Sequence, residues 1–367
     1  MRVLTVNAGS TSLKLERYEF GEALPPIAQP PDPVAAVSVE VARLEAATAA
    51  QLEHDLDAVV HRIVRFPDAT ATIVPLDQTT VAEIRRVGGD APLHDTATLQ
   101  AAEVVRRLRP DLRQFAVADG AFHHTLSAAA ATYAIPRELT RQGFRRLGYH
   151  GLSHEYAAHR GAALAGLDVR QARIVTAHLG GGSSLCAIEN GKSVDTTMGY
   201  TPLEGLPMTT RSGSVDPGLL LHLLKSGMPL GELDDMLERR SGLLGISGRS
   251  GDVRELLIAR TNDPDAALAL DVLGWRLRAA IGSMIGVLGS VDLLVFTGGI
   301  GEHAAPIRAG GLRGAEAAGA KLDAARNEAL AGEGRIGADE SMVAVYVVRA
   351  REGWQLARTA VTFLAAR

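Results

Sequence analysis

The sequence predicts an α/β fold whose two halves follow one plan, and three observations predict it. The first is a pair of related phrases, VLTVNAGSTSLK at 3–14 and TAHLGGGSSLCA at 176–187, each an apolar, β-branched run that breaks into small residues. Aligning Thr5 with Ala177 pairs Gly9 with Gly181, Ser12 with Ser184 and Leu13 with Leu185, at a spacing close to half of the 367 residues. The second is VDLLVFTGGIGEH at 291–303, a nearly continuous apolar run ending in glycines, as a central strand buried on both faces reads. The third is length, which exceeds one typical core and suits two domains.

Taken in order, residues 2–8 and 13–18 read as strands around the first Gly/Ser turn. The stretch 21–35 holds five prolines and reads as a loop or irregular edge. Apolar spacing predicts a helix over 37–56, a buried strand over 57–64, and helices over 80–109 broken around GGDAPLHD, 88–95. QFAVADGAFH, 114–123, reads as a strand ending on an acidic turn. In the second half ARIVTAHLG is a buried strand, SSLCAIENGKSVDTT is a hairpin turning at Asn190-Gly191, and 266–289 is a long helix rich in small residues.

Composition narrows the function. A net charge of -4 lacks the basic excess that a nucleic-acid surface needs. Cys186 is the single cysteine, so neither an intramolecular disulfide nor a thiolate zinc site is available. No stretch of 18 apolar residues occurs, and the reading is a cytoplasmic protein with no membrane or nucleic-acid partner. Lysines are confined to Lys14, Lys192, Lys225 and Lys321, and no GxxxxGK[ST] or dinucleotide fingerprint occurs.

Glycine turns at 7–12, 180–184 and 298–301 each follow an apolar strand, where backbone N–H groups can approach an anion. Asp119, Arg62, Arg211 and His150 sit at other strand ends or in glycine-rich loops. Singly, each reads equally well as a surface salt bridge or cap. Together they offer the cations and the carboxylate that a phosphoryl-transfer site needs.

NAGSTSLK, VVHR, DGAFHHT, GYHGLSH, AHLGGGSSL, GKSVDTTMGYTPLEGLPMTTRSGSVDPG and VFTGGIGEH resemble, in order, the acetate kinase family of short-chain acyl kinases. The resemblance implies duplicated actin-like (ribonuclease H-like) ATPase domains with the active site in the cleft between them. The first would span 1–147 plus 353–367; the second, 148–352, would bind nucleotide and carry the contact of a homodimer. It implies ATP and Mg²⁺ (or Mn²⁺), with acetate or a short-chain carboxylate converted to an acyl phosphate. Among catalytic groups, Asn7 matches the family's asparagine near the γ-phosphate and metal, Arg62 and Arg211 its two arginines, His150 its transition-state histidine and Asp119 its catalytic aspartate. Glu352 matches the late metal-linked glutamate, and Val64, Leu93, Tyr149 and Pro202 match the acyl pocket. Lys14, His178, Leu179, Gly180, Gly181, Gly182, Gly299, Ile300, Gly301 and Glu302 match nucleotide-site positions, and Asp252, Val253 and Arg254 a segment against the adenosine.

Departures from the family pattern bear on substrate and donor. Arg65-Phe66-Pro67 stands where the family has His-Gly-Gly, Ala118 and Gly120 flank Asp119 in place of Phe and Thr, and Arg349 to Arg351 precede Glu352. Tyr149 replaces a pocket Phe, Gly182 and His303 replace asparagines, and Val253 replaces an aromatic. They leave propionate, butyrate and a pyrophosphate donor open, along with a regulatory protein that binds nucleotide without turnover.

Overall fold

Seven residues from Arg2 to Ala8 form the first strand, β1, because Val3, Leu4 and Val6 bury themselves in a sheet. The computed structural model describes residues 1–8, 12–21, 23–64, 66, 71–87 and 92–366, the side chains of 87 and 92–95 excepted. The expected turn at Gly9, Ser10 and Thr11 lies outside those residues, as do Arg65 and Pro67. The chain divides into two compact units.

Unit 1 comprises Met1–His124, Gly151–Tyr156 and Arg351–Arg367. Its sheet holds β1, β2 (Ser12–Glu19), β3 (Ala35–Glu40), β4 (Ala58–Ile63), β5 (Ile73–Pro75) and β6 (Arg113–Ala118), in the order β3-β2-β1-β4-β6-β5. Strands β1, β4 and β6 run parallel, while β2, β3 and β5 pair antiparallel. The helices Leu44–Leu52 and Pro92–Leu108 bury Leu44, Leu52, Ala101 and Val105 against Leu4, Val6, Leu15 and Val59. The helix Glu352–Ala365 also packs on the sheet, with the buried Trp354 stacked on Phe20 at 5.6 Å and tilted against Tyr18. Trp354 Nε1 donates to the Ile27 carbonyl (3.2 Å) and Arg351 pairs with Asp32 (2.9 Å), so the proline-rich stretch is anchored to this helix.

Unit 2 comprises Thr125–His150 and Ala157–Ala350. Its sheet holds β7 (Arg173–Leu179), β8 (Ser183–Glu189), β9 (Lys192–Thr196), β10 (Leu293–Thr297), β11 (Gly334–Arg335) and β12 (Ala344–Val347). Read from β9, its order β9-β8-β7-β10-β12-β11 and its strand senses repeat those of unit 1 read from β3. This is the duplication that the paired phrases announce. Asn190 and Gly191 turn the β8–β9 hairpin with φ of 55° and 72°, the left-handed pair that a type I′ turn requires. The long helix Pro264–Leu288 starts at Asp263, whose side chain accepts from the amides of Asp265 and Ala266, and stops at Gly289 in the left-handed region. It buries Leu270, Leu273, Leu277, Ile281 and Met284 at helical spacing against β7, β8 and β10.

Three expectations change. Residues 35–40 form a strand, not the start of a helix, because the alternating AAVSVE pairs with β2 and places Val39 opposite Leu13; the helix begins only at Leu44. The glycines after β10 open a short helix, Gly298–His303, instead of an open turn. Residues 125–147 group with unit 2, held there by Thr125 Oγ1 to the Ser193 carbonyl (2.6 Å) and by Tyr133 to Glu204 (2.6 Å).

Candidate active site

The parallel strands β1, β4 and β6 of unit 1 end side by side, and in such sheets ligands bind beyond the carboxyl ends of the strands. Asn7 lies near the end of β1, Arg62 near the end of β4, and Asp119 directly after β6, its amide donating to the Ile63 carbonyl (2.7 Å). Arg62 is held at three points. Its Nε donates to Asn7 Oδ1 (2.7 Å), Nη2 to the Ala8 carbonyl (2.8 Å), and Nη1 lies 3.3 Å from Asp119 Oδ1. Asn7 Nδ2 donates to Glu352 Oε2 (2.7 Å), so Glu352, Asn7, Arg62 and Asp119 form one continuous line. The side chains of Arg62 and Asp119 are 14% and 3% exposed, an ion pair strengthened by its low-dielectric surroundings. Glu352 opens its helix, where the positive end of the dipole favours a carboxylate. A Cβ on Gly151 would stand 2.6 Å from the Asp119 carbonyl oxygen, which explains a glycine there.

Unit 2 builds its own cluster. His150 adopts φ 57°, a left-handed conformation that is strained for a side chain of this size and is common at functional sites. Its Nδ1 is hydrogen-bonded to Ser184 Oγ (2.9 Å), and its ring stacks on His178 with centroids 4.3 Å apart. Arg211 Nε pairs with Glu238 Oε2 at 3.1 Å. A Cβ on Gly182 would lie 3.1 Å from the His150 ring and 3.5 Å from Arg211 Nη1, so the bare glycine lets both side chains approach the turn. The turn is closed by Gly180 N–H to the Gly182 carbonyl (3.0 Å), and Thr209 Oγ1 donates to the Gly181 carbonyl (3.1 Å). Gly298, at φ 78°, passes so close to Leu179 that a Cβ would stand 2.6 Å from its carbonyl oxygen. That approach brings the Gly299–Glu302 segment beside Gly180.

The other expected residues take varied positions. Lys14 is exposed on β2 opposite Asn7, Val64 is buried in unit 1, and Leu93 lies in the helix Pro92–Leu108 with its side chain outside the described residues. Tyr149 and Pro202 are buried, and Tyr149 Oη donates to the Tyr200 carbonyl (2.5 Å). Asp252 caps the helix Val253–Ala259 and binds the exposed Arg254, while Val253 points into the core of unit 2. Glu302 Oε1 accepts from the Ala350 amide (2.9 Å). Ser184, Thr209 and Glu238 support the cluster without having been singled out in the sequence. Ser184, inside the second glycine phrase, and Thr209, inside the block 191–218, carried a signal there, whereas Glu238 meets Arg211 through tertiary folding alone.

Comparison with known proteins follows from this geometry. Residues 17–358 match a family model described as the Acetokinase family. An acetate kinase of Rhodopseudomonas palustris is 44% identical over 307 residues, 83% of this chain and 77% of that one. The crystal structure of Porphyromonas gingivalis acetate kinase superposes with a TM-score of 0.86 at 32% identity, covering 99% of both chains. A propionate kinase from Francisella tularensis gives 0.85 at 31% identity, covering 97% of this chain and 98% of that one.

Proposed function

The chain belongs to the acetokinase family, and from that premise we propose that it is an acetate kinase, transferring the γ-phosphoryl group of ATP reversibly to acetate. The observation that carries the reading is the line of Glu352, Asn7, Arg62 and Asp119: a guanidinium fixed at three points among oxygen donors at the ends of parallel strands.

In the forward direction an acetate oxygen forms a bond to the γ-phosphorus as the bond to the β–γ bridging oxygen breaks. Acetate is already ionised near neutral pH, so no strong base is required, and positioning with charge neutralisation supplies the rate. Arg62 takes the carboxylate or acyl phosphate, while Arg211 and His150 face the oxygens of the transferring group. The strained backbone of His150, its bond to Ser184 and its stacking on His178 fix the imidazole before substrate arrives. Tyr149 and Pro202 receive the methyl group. His178, Leu179 and Gly180 to Gly182, with Gly299 to Glu302, hold the nucleotide phosphates. Lys14 supports them, and Asp252 and Arg254 lie toward the adenosine.

The donor set in unit 1 fits Mg²⁺ or Mn²⁺. Among the described residues no group of three His, Cys, Asp or Glu could hold a metal by itself. Mg²⁺ characteristically keeps its waters and uses one or two carboxylates plus substrate phosphates. Asp119 and Glu352 supply those carboxylates, with Asn7 aiming Glu352 through its amide. When bound, the ion neutralises charge on the phosphate oxygens.

A homodimer through unit 2 accords with the helix Pro217–Lys225, which buries none of its residues and leaves Leu219, Leu221 and Leu224 exposed, with Leu230 nearby. No described helix is long and apolar enough to cross a membrane. The buried Cys186 thiol is in keeping with a cytoplasmic enzyme. The decisive test is acyl hydroxamate formation by the purified protein with hydroxylamine and acetate, propionate or butyrate, using MgATP or pyrophosphate as donor. Product with acetate and MgATP supports the reading. Nucleotide binding without product from any acid refutes it.

A further inference from the structure

Five successive carbonyls, from Thr196 to Tyr200, accept hydrogen bonds from four successive residues, Arg146 to Tyr149. Arg146 Nη1 is shared among the carbonyls of Thr196 (3.0 Å), Thr197 (3.1 Å) and Met198 (2.9 Å). The amides of Leu147 and Gly148 both donate to Gly199 (3.1 and 3.2 Å), and Tyr149 Oη donates to Tyr200 (2.5 Å). A second set of bonds closes the loop. The Tyr200 amide donates to Tyr133 Oη (2.9 Å), Tyr133 Oη donates to Glu204 Oε2 (2.6 Å), and Arg146 Nη2 donates to Glu204 Oε1 (2.8 Å).

Each group in this circuit has an assigned partner, and the Arg146 guanidinium lies over the Tyr133 ring at 5.7 Å. Burial and the bond to Glu204 push the Tyr133 hydroxyl up to about 12, so it remains a donor across the physiological range. The circuit excludes a side chain at its centre: a Cβ on Gly199 would overlap both the Tyr133 hydroxyl and the Glu204 carboxylate. Pro202 lies between the two fastened points, Tyr200 and Glu204. Its backbone is therefore fixed from both sides, against the same segment that carries Tyr149.

We infer that Tyr133, Glu204 and Arg146 are positioning residues that set the enzyme's acyl-chain selectivity, by holding the Tyr149 and Pro202 walls of the acyl pocket at a fixed separation. The inference rests on the acyl kinase reading above. It also gives Tyr149 a purpose: a hydroxyl unwelcome beside a methyl group is turned into the Tyr200 carbonyl and used as a tether. A rigid wall discriminates between acids that differ by one methylene, a difference worth about 10- to 200-fold in a fitted apolar pocket. A loosened wall does not.

The test compares kcat/KM for acetate, propionate and butyrate in the wild type, Tyr133→Phe, Glu204→Ala and Glu204→Gln. Tyr133→Phe removes both the acceptor for the Tyr200 amide and the donor to Glu204; Glu204→Gln keeps an acceptor for Tyr133. The propionate-to-acetate ratio rises by about fivefold or more in Tyr133→Phe and Glu204→Ala, within the span that one methylene commands, and Glu204→Gln falls in between. KM for ATP stays unchanged. Equal losses for all three acids, with the ratio within about twofold of wild type, mean a merely structural role and overturn the inference. If Tyr133→Phe does not fold, the two Glu204 variants decide by the same ratio. A wild-type protein that turns over no acid refutes the acyl kinase reading itself, an outcome distinct from an active enzyme whose ratio does not move.

Discussion

Lowering the pH from 7 to 5 removes about 2 kcal/mol of stability through a single imidazole, that of His61. This residue is fully buried on β4, immediately before Arg62; its Nε2 donates to Gln114 Oε1 (2.8 Å), and its Nδ1 has no partner among the described residues. Burial pushes its pKa from 6.5 down to about 4, against the smaller opposing effect of the Gln114 bond, with nearby Arg106 lowering it further. The sign follows from proton uptake. Between pH 6.5 and 4 the unfolded chain binds a proton that the folded chain refuses, so the contribution is complete above 6.5 and is lost as pH falls toward 4. The whole shift is worth about 3 kcal/mol, of which roughly 2 falls between pH 7 and 5. Urea unfolding at the two pH values measures it, with His61→Gln as the reference because that side chain still donates to Gln114 but does not titrate. The variant loses less stability than the wild type over this interval, by about that amount. Equal losses in the two proteins would refute the reasoning.

Other predictions concern the site and its supports. Arg62→Ala and Arg211→Ala each lower kcat by at least about 10², as loss of a transition-state cation does; steady-state kinetics that stay within a few-fold of wild type refute the residue assignment. Gly298→Ala forces a Cβ to within 2.6 Å of the Leu179 carbonyl at φ 78° and raises KM for ATP with KM for acetate unchanged, measured by varying each substrate. Trp354→Ala empties a fully buried site and costs about 3–5 kcal/mol in denaturant titration; a loss below about 1 kcal/mol contradicts its place in the core.

Much of the fold was legible because its signals are local. The β8–β9 hairpin is written in Asn190-Gly191, the long helix in its N-cap Asp263 and C-cap Gly289, and the duplication in two phrases half a chain apart. The strand Ala35–Glu40 is not legible as one because Val37, Val41 and Leu44 continue a helical spacing while Val37 and Val39 alternate, and only pairing with β2 decides between them. In the site, Arg62 and Asp119 could be singled out because strand ends are recognisable from apolar runs that stop, whereas Asn7 entered only through the family resemblance. What holds them could not. The bond from Asn7 to Glu352 spans 345 residues, and the partner of Arg211 is a glutamate on an otherwise unremarked amphipathic helix. Val253 shows the converse, a position that a motif places beside the nucleotide while its own apolar side chain seeks the core.

The return of the chain to its first sheet has a consequence for biosynthesis. Unit 1 takes one of its helices, with Trp354 and Glu352, from residues translated after every strand of unit 2. Unit 2 draws on residues no later than Ala350. The first sheet therefore emerges early yet waits for this cover until the second has gathered all its strands, reversing the usual order in which the amino-terminal domain is finished first. A chain interrupted before residue 351 carries every strand of both sheets but lacks Trp354, which covers the first of them, and the Glu352 carboxylate to which Asn7 donates.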